Sequence, residues 1–334
     1  MSGTHVFKSA TNATSMPQDE LILVALGGNA LLRKGEKGSF QEQYANIVAT
    51  SKHLADVVEQ GYKLVITHGN GPQVGATLLR HAAGLKLYGI PAFPMDACGA
   101  ETQGFIGYLI QQGLRTELKR RGIDKYVITV VTRVIVEKDD PAFSNPTKPV
   151  GPFYTREEMD RLKMENPEYL FVEDKVRGGW RRVVPSPDPK LIAERVAIRT
   201  LVDAGFIVVA SGGGGIPIIE EDGVAKGVEA VIDKDLAGEK LAELIKADRF
   251  IILTDVDGAY ISYGTPNQKL LQNISPSEAR KYLELGEFGQ GSMYPKVLAC
   301  VRFVEAGGKE AVITELSKLK EALKGTAGTH IRLG

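Results

Sequence analysis

One local plan recurs along the chain and limits the folds open to it: a helix with apolar periodicity, a glycine, and then a short buried strand. It occurs in VVEQGYKLVIT (Val57–Thr67), LVDAGFIVVAS (Leu201–Ser211) and VEAGGKEAVIT (Val304–Thr314). Glycine suits the left-handed residue after a helix end, and the β-branched run that follows is typical of a strand buried on both faces. Further strands are predicted at LILVAL (Leu21–Leu26), YVITVV (Tyr126–Val131) and RFIILT (Arg249–Thr254). Strands that alternate with helices predict an α/β fold, with a mostly parallel sheet and helices on both of its faces.

A proline-rich segment interrupts this rhythm between the two halves of the predicted sheet. Prolines are dense between residues 139 and 189, including positions 141, 146, 149, 152, 185, 187 and 189. Prolines at this density suit turns and edge hairpins rather than central strands. We therefore predict a small protruding subdomain, or lid, over about residues 138–189, inserted in one larger domain that spans residues 21–334.

Composition excludes several classes of partner. Lys and Arg number 41, as do Asp and Glu, so the formal net charge of the 334 residues is zero and no nucleic acid partner is expected. The apolar runs are too short for a membrane span. Cys98 and Cys300, the two cysteines, fit a reducing compartment and give neither a disulfide framework nor a zinc cluster. Residues 1–20 lack the apolar core of a secretory signal, so we predict a flexible extension there and a cytoplasmic protein.

Glycine-rich loops directly follow three of the predicted strands. These loops are Gly27-Gly28-Asn29, Gly69-Asn70-Gly71 and the run that begins Gly212-Gly213-Gly214. In a parallel sheet, ligands bind beyond the carboxyl ends of the strands. Glycines there let backbone N–H groups approach an anion closely, and the following helix points its positive end at the same place. One such loop is weak support, since tight turns also need glycine, but three of them predict a phosphate-handling edge.

The common nucleotide signatures do not account for these loops. The sequence has no GxxxxGK[ST], so it is not a P-loop NTPase, and GNGPQVG is one residue off the dinucleotide fingerprint. It also lacks the HRD and DFG motifs of protein kinases. The anion site must therefore be built in another way.

Three lysines stand where they could supply the missing charge. Lys234 lies between Asp233 and Asp235 at a predicted helix start near Asp235, where the helix dipole disfavours a cation. Lys296 follows GSMYP just before another apolar helix, and Lys148 lies in the proline-rich segment. A solvated surface charge is the alternative for Lys148, and a local ion pair is the alternative for Lys234. Cations that converge on glycine loops suit phosphoryl transfer, which mainly requires positioning and charge neutralisation.

The order of the motifs resembles that of the carbamate kinases in the amino acid kinase superfamily. The motifs that carry the resemblance are VALGGNALL, THGNGPQVG, QGFIGYLIQQ, DDPAFSNPTKPVGPFY, RRVVPSPDP, ASGGGGIP, GVEAVIDKDLAGEKLA, LTDVDGAY and GSMYPKV. The glycine loops alone indicate the superfamily, while NPTKPVGPFY and VIDKDLAG are more specific. The resemblance implies a three-layer αβα sandwich, a protruding subdomain and a homodimer. It also implies reversible, Mg²⁺-dependent phosphoryl transfer between ATP and carbamate, which gives ADP and carbamoyl phosphate. The reaction would run toward ATP in the catabolism of arginine and carbamoyl phosphate.

The resemblance also implies roles for individual residues. The transferring phosphoryl would be held by Gly27, Gly28 and Asn29, and the carbamate side by Gly69, Asn70, Gly71, Gly212, Gly213 and Gly214. Lys148 would reach over the carbamoyl group and Lys234 would stabilise the phosphoryl, with Asp235 holding the lysines in position. The nucleotide would be bordered by Asp255, Met293, Tyr294 and Pro295, and its phosphates contacted by Lys296. Mg²⁺ would arrive with ATP or ADP, so no metal ligands are assigned in the protein.

Two departures from the family pattern leave alternatives open. Tyr294 stands where the family usually has Gly, and a large ring there could narrow the nucleotide pocket. Arg133 stands where Gln is frequent, and its guanidinium could bind an anionic group that carbamate lacks. One alternative function is therefore a related kinase that acts on another small acid. A second is a nucleotide-binding protein without catalysis, against which the retention of Asp235 and all three lysines argues. For His68, at the end of a strand, we predict a structural role.

Overall fold

The computed structural model describes residues 19–175, 178–289 and 291–333. Its strands are β1 Leu21–Leu26, β2 Lys63–His68, β3 Val127–Thr129, β4 Arg133–Ile135, β5 Lys148–Tyr154, β6 Leu170–Glu173, β7 Trp180–Val184, β8 Leu191–Ile192, β9 Ile207–Val209, β10 Ile216–Glu221, β11 Val224–Gly227, β12 Arg249–Thr254, β13 Tyr260–Ile261, β14 Lys269–Leu270, β15 Asn273–Ile274, β16 Glu310–Glu315 and β17 Thr329–Ile331. Its helices are α1 Phe40–Glu59, α2 Gly71–Tyr88, α3 Met95–Arg120, α4 Arg156–Glu165, α5 Arg195–Asp203, α6 Lys234–Leu244, α7 Pro276–Glu284, α8 Met293–Glu305 and α9 Leu319–Leu323.

Eight strands form the main sheet, in the order β15-β17-β16-β12-β1-β2-β9-β3. All neighbouring pairs run parallel except β16 and β17. At the centre, β1 and β2 pair in register from Leu21 opposite Lys63 to Leu26 opposite His68. The predicted mostly parallel α/β sheet is thus confirmed.

The central strand β1 shows why helices cover both faces of this sheet. Its six side chains are all buried, and alternate ones point to opposite faces. Leu21, Leu23 and Ala25 join an apolar cluster with side chains of α5, α6, α7 and α8. Ile22, Val24 and Leu26 join a second cluster with side chains of α1, α3 and α9. The result is a three-layer αβα sandwich, as the sequence predicted.

The proline-rich segment contains a sheet of its own. Strands β5, β7 and β6 pair antiparallel in that order, and we call them the small sheet. Pro149 and Pro152 lie in β5, which is an edge strand, as expected for residues that cannot donate to a ladder. β5 packs on α2 at Gly75, where an added Cβ would lie 3.0 Å from Gly151 Cα. A further sheet has the order β11-β10-β4-β8.

Some predicted element bounds differ from those observed. The strand predicted at Tyr126–Val131 is only Val127–Thr129, because its sole partner, β9, is three residues long. Helix α6 begins at Lys234, one residue before the predicted start, with Asp233 as its N-cap. The predicted extension over residues 1–20 falls, except for Asp19 and Glu20, outside the described residues. Within the described ranges, no helix is long and apolar enough to cross a bilayer.

Candidate active site

The three glycine loops lie side by side at one edge of the main sheet. β12, β1, β2 and β9 are consecutive neighbours, so their carboxyl ends meet at that edge. β1 leads into residues 27–29, β2 into residues 69–71, and β9 into residues 212–214. We call these three segments the edge loops. β12 ends beside them at Thr254, which places Asp255 at the same edge.

Close packing explains several glycines of the edge loops. A Cβ on Gly212 would lie 2.3 Å from His68 Nε2, and one on Gly213 would lie 2.2 Å from Asn70 Nδ2. Gly213 also has a φ of 68°, in the region that favours glycine. The two loops therefore interlock with no room for side chains. A Cβ on Gly28 or Gly71, in contrast, would meet nothing within 4 Å.

His68 fills the space between two of these loops. Its ring is buried, and Nδ1 donates a hydrogen bond to Gly69 O at 2.9 Å. Burial lowers the pKa of His68 to about 4, and the nearby charge of Lys234 acts in the same direction, while the Gly69 hydrogen bond opposes it. The imidazole is therefore neutral near pH 7, and its contacts fit the predicted structural role.

A buried carboxylate joins two of the three candidate lysines. Lys234 Nζ donates to Asp235 Oδ1 at 2.5 Å, and Lys296 Nζ donates to Asp235 Oδ2 at 2.7 Å. The Asp235 side chain is 3% exposed, that of Lys234 17% and that of Lys296 14%. These residues come from the first turns of α6 and α8, which pack against each other.

The charges of this cluster do not cancel. Burial raises the pKa of Asp235, but the two ammonium groups outweigh that effect and hold it well below its usual range. Burial lowers the pKa of Lys234, and the charge of Lys296 adds to this effect. Burial acts likewise on Lys296, but Asp235 leaves its pKa above the usual value. Two cations share one anion, so the group carries an excess positive charge that suits an anionic ligand.

The third lysine meets a different carboxylate. Lys148 Nζ donates to Asp233 Oδ2 at 2.6 Å, while Asp233 Oδ1 accepts the backbone N–H of Asp235 at 2.9 Å. Lys148 is therefore not the solvated surface charge that the sequence left open. Asp235, which was expected to position all the lysines, contacts Lys234 and Lys296, whereas Lys148 is held by Asp233.

The start of α8 carries the segment predicted to border a nucleotide. Ser292, its N-cap, makes no side-chain cap hydrogen bond. Met293 and Tyr294 are partly buried against the main apolar cluster, and the Tyr294 N–H donates to Gly289 O at 3.0 Å. The exposed Asp255 is close enough to Lys296 to raise its pKa.

Arg133 has a partner within the protein. Its Nε donates to Glu194 Oε1 at 2.8 Å, and its backbone N–H donates to Glu194 Oε2 at 2.7 Å. One carboxylate thus binds both groups of the same residue at the start of β4. This geometry gives no support for Arg133 as an extra anion-binding group.

Two buried polar residues next to the site were not predicted from the sequence. Gln103 on α3 donates to Gly212 O and to Thr132 O, each at 3.1 Å, and its Oε1 accepts the Thr132 N–H at 2.8 Å. Glu239 lies one turn after Asp235 and is 1% exposed, and its Oε2 has no hydrogen-bond partner among the described residues. Burial raises the pKa of Glu239 to about 7. Both residues could have been found in the sequence as polar residues that fall, at helical spacing, on the apolar faces of α3 and α6.

The fold, with glycine loops and lysines at one edge of the main sheet, suits a protein that handles phosphate groups, and the comparisons with known proteins give its class as a kinase. A family model described as "Amino acid kinase family" matches residues 20–315. A carbamate kinase of Thermococcus kodakarensis is 58% identical over 311 residues, which are 93% of this chain and 98% of the relative. One of Pyrococcus furiosus is 56% identical over 310 residues, with the same coverage.

Solved structures agree with the sequence comparison. A carbamate kinase from Giardia lamblia bound to AMP-PNP superposes with a TM-score of 0.88 at 43% identity, covering 94% of this chain and 98% of that one. The chain belongs to the amino acid kinase family and, within it, to the carbamate kinases.

Proposed function

We propose that the site catalyses reversible phosphoryl transfer between ATP and carbamate, giving ADP and carbamoyl phosphate. The observation that carries the proposal is the buried cluster in which Asp235 binds Lys234 and Lys296 beside the edge loops. The carbamate kinase relatives at 56–58% identity supply the substrate class.

We assign the edge loops and the lysines to separate parts of the reaction. The backbone N–H groups of Gly27 and Gly28, with Asn29, hold the transferring phosphoryl. The carbamate side is lined by Gly69, Asn70, Gly71, Gly212, Gly213 and Gly214. Lys234 stabilises the phosphoryl in flight, and Lys148 reaches the carbamoyl group. Asp235 keeps Lys234 and Lys296 in position.

In phosphoryl transfer the protein mainly aligns the reactants and supplies charges that stabilise the transition state. A carbamate oxygen attacks the γ-phosphorus of ATP as the bond from that phosphorus to the ADP oxygen breaks. Carbamate is already an anion, so no general base is required. Negative charge is spread over the equatorial phosphoryl oxygens, and preorganised cations in a water-poor site stabilise it.

The nucleotide lies, in this proposal, against the start of α8. Asp255, Met293, Tyr294 and Pro295 border it, and Lys296 contacts its phosphates. The AMP-PNP bound to the Giardia lamblia carbamate kinase supports a nucleoside triphosphate as the ligand class. Mg²⁺ enters bound to the nucleotide phosphates, as is usual for this ion in kinases.

We propose that the enzyme runs toward ATP, in the catabolism of arginine and carbamoyl phosphate in the cytoplasm, and that it is a homodimer. Exposed apolar side chains at and beyond the end of α2 support a second copy as a partner: Leu87, Tyr88, Ile90 and Phe93. Light scattering on the eluting protein should give about twice the mass of one chain. A mass of one chain would contradict the dimer.

The deciding experiment is ATP formation by the purified protein from ADP and carbamoyl phosphate, followed by chromatographic separation of the nucleotides. We expect ATP with Mg²⁺ and a large loss with excess EDTA. Acetyl phosphate in place of carbamoyl phosphate is the matched control and should give far less ATP. If the protein makes no ATP from carbamoyl phosphate but does make it from another acyl phosphate, the substrate is another acid and the proposal of carbamate is wrong.

A further inference from the structure

The two oxygens of the Asp233 carboxylate hold two different parts of the molecule. Oδ1 caps α6 by accepting a hydrogen bond from the Asp235 N–H, and Oδ2 accepts a hydrogen bond from Lys148 Nζ at 2.6 Å. An N-cap carboxylate is fixed by the helix that it caps. Oδ2 therefore has a set position relative to Lys234 and Asp235, which form the first turn of the same helix.

Lys148 reaches Asp233 from the small sheet. It is the first residue of β5 and pairs with Val184 on β7. Its side chain is 32% exposed, about twice the value for Lys234 or Lys296. A lysine of this exposure has considerable rotamer freedom unless a partner restrains it. Asp233 is the charged partner that restrains it here.

The segment before α6 contacts the small sheet, or the residue that directly follows it, at three points. Glu229 accepts the Met95 N–H at 2.8 Å and lies 3.5 Å from Arg182 on β7. The Val231 N–H donates to Pro185 O at 3.0 Å. Asp233 is the third point and the only one of these adjacent to the Lys234–Asp235 pair. The contacts at Glu229 and Val231 join the sheet to the body, while that at Asp233 orients a lysine.

We propose that Asp233 is a positioning residue that holds the Lys148 ammonium at the site, so that Lys148 meets the carbamoyl group in a fixed orientation. This inference rests on the proposed function. An ammonium has three donors. The bond to Asp233 occupies one of them, and the other two are left for substrate oxygens.

Asp233→Asn tests the proposal, because Asn is as good an N-cap as Asp but lacks the charge that binds Lys148. We expect the KM for carbamoyl phosphate to rise about tenfold, as for the loss of one charge-assisted hydrogen bond. The KM for ADP should stay within about twofold of wild type, because Lys148 is proposed to contact only the carbamoyl group. A general loss of substrate binding would raise the KM for ADP as well. Equal changes in both constants would overturn the positioning role. Asp233→Ser, which also keeps a cap, is the second variant should Asp233→Asn fold poorly.

A double variant separates positioning from a direct contact with substrate. If Asp233 acts through Lys148, Asp233→Asn should add nothing to the KM effect of Lys148→Ala, since residues that share one interaction are not additive. Additive effects of the two substitutions would overturn the proposal.

A chemical probe keeps this inference distinct from the proposed function. The rate at which an N-hydroxysuccinimide acetate acetylates Lys148, read by peptide mass spectrometry, should rise in Asp233→Asn. The exposed Lys163 on α4 is the control and should react equally in both proteins. An unchanged acetylation rate at Lys148 would overturn the proposal that Asp233 restrains its ammonium group. Failure of wild type to make ATP, with a raised rate at Lys148, would overturn the proposed function alone.

Discussion

The edge loops and the small sheet both reach the start of α6, but they are held in different ways. The edge loops follow strands whose side chains are almost all buried, and they interlock through Gly212 and Gly213. The small sheet has few buried side chains, and its buried apolar cluster on the body is limited to Met95, Val150 and Val184. Its lysine is correspondingly more exposed than Lys234.

This difference indicates a division of labour. A fixed array of charges in a dry site stabilises a transition state without reorganisation, so the edge loops with Lys234 and Lys296 suit the chemical step. A lightly packed sheet with a tethered lysine suits recognition of the carbamoyl group. Four substitutions test this contrast, from the largest expected effect to the smallest.

Lys234→Ala should have the largest effect on turnover. We expect kcat for ATP formation to fall about 10²–10³-fold, as when one preorganised donor to a transition-state charge is lost. Steady-state kinetics at saturating substrates measure it. Lys240→Ala, later on the same helix and paired with Glu243, is the control and should stay close to wild type. Near-normal turnover in Lys234→Ala would remove this lysine from the chemical step.

Gly212→Ala tests the interlocked packing of the edge loops. The added methyl would overlap the His68 ring, so we expect the free energy of unfolding to drop by about 2 kcal/mol, typical of overpacking. Gly71→Ala is the matched control, because its methyl meets open space. Denaturant melts compare the two. Equal stability of the two variants would show that the edge loops can move to accept the added methyl group, so that they are not rigidly packed.

Lys148→Ala is the counterpart, in the small sheet, of Lys234→Ala at the start of α6. We expect the KM for carbamoyl phosphate to rise about tenfold, while ADP binding changes little, since one charged contact to one substrate is lost. Lys163→Ala, in α4 of the same segment, is the control. An equal loss of affinity for both substrates would argue against a recognition role.

Glu239→Gln tests whether water reaches the buried face of α6 one turn after Asp235. Burial raises the pKa of Glu239 to about 7, so the folded protein holds a proton that the unfolded chain releases near its ordinary value of 4.5. Wild-type stability should therefore fall as pH rises from about 4.5 to about 7, and level off above that. Relative to Glu239→Gln, we expect a loss of about 1 kcal/mol between pH 6 and pH 8.

Thermal or urea melts at several pH values measure this difference. The control is Glu284→Gln at the exposed end of α7, whose stability should follow wild type at every pH. If the stability of wild type and of Glu239→Gln changes with pH in the same way, Glu239 is hydrated and water reaches this face of α6.

The sheet was largely readable from the sequence, because its strands are short apolar runs between glycines. β1 and β12 begin and end at the predicted residues, while β2 ends at His68, one residue beyond the predicted run that closes at Thr67. β3 is shorter than its apolar run because strand length depends on the partner, and β9 ends after three residues. Local pattern predicts that a strand exists, and pairing decides where it stops.

The candidate site was predictable only in part. Lys234 stands out because a cation at a helix start conflicts with the dipole, and in the structure its ammonium is paired with the Asp235 carboxylate. The partner of Lys148 was not predictable, because Asp233 lies 85 residues away and no periodic pattern links them. The support from Gln103 and the burial of Glu239 likewise depend on how the helices pack.

The central claim is that Lys234 and Lys296, beside the edge loops, act on the chemical step and that Lys148 of the small sheet acts on binding. The rate of the first turnover of ATP formation, followed by rapid quench with ADP and carbamoyl phosphate both saturating, separates the two. We expect Lys234→Ala to remain slowed by about 10²-fold or more at saturation, and Lys148→Ala to recover to within about tenfold of wild type. Equal slowing of both variants at saturation would contradict the division of labour.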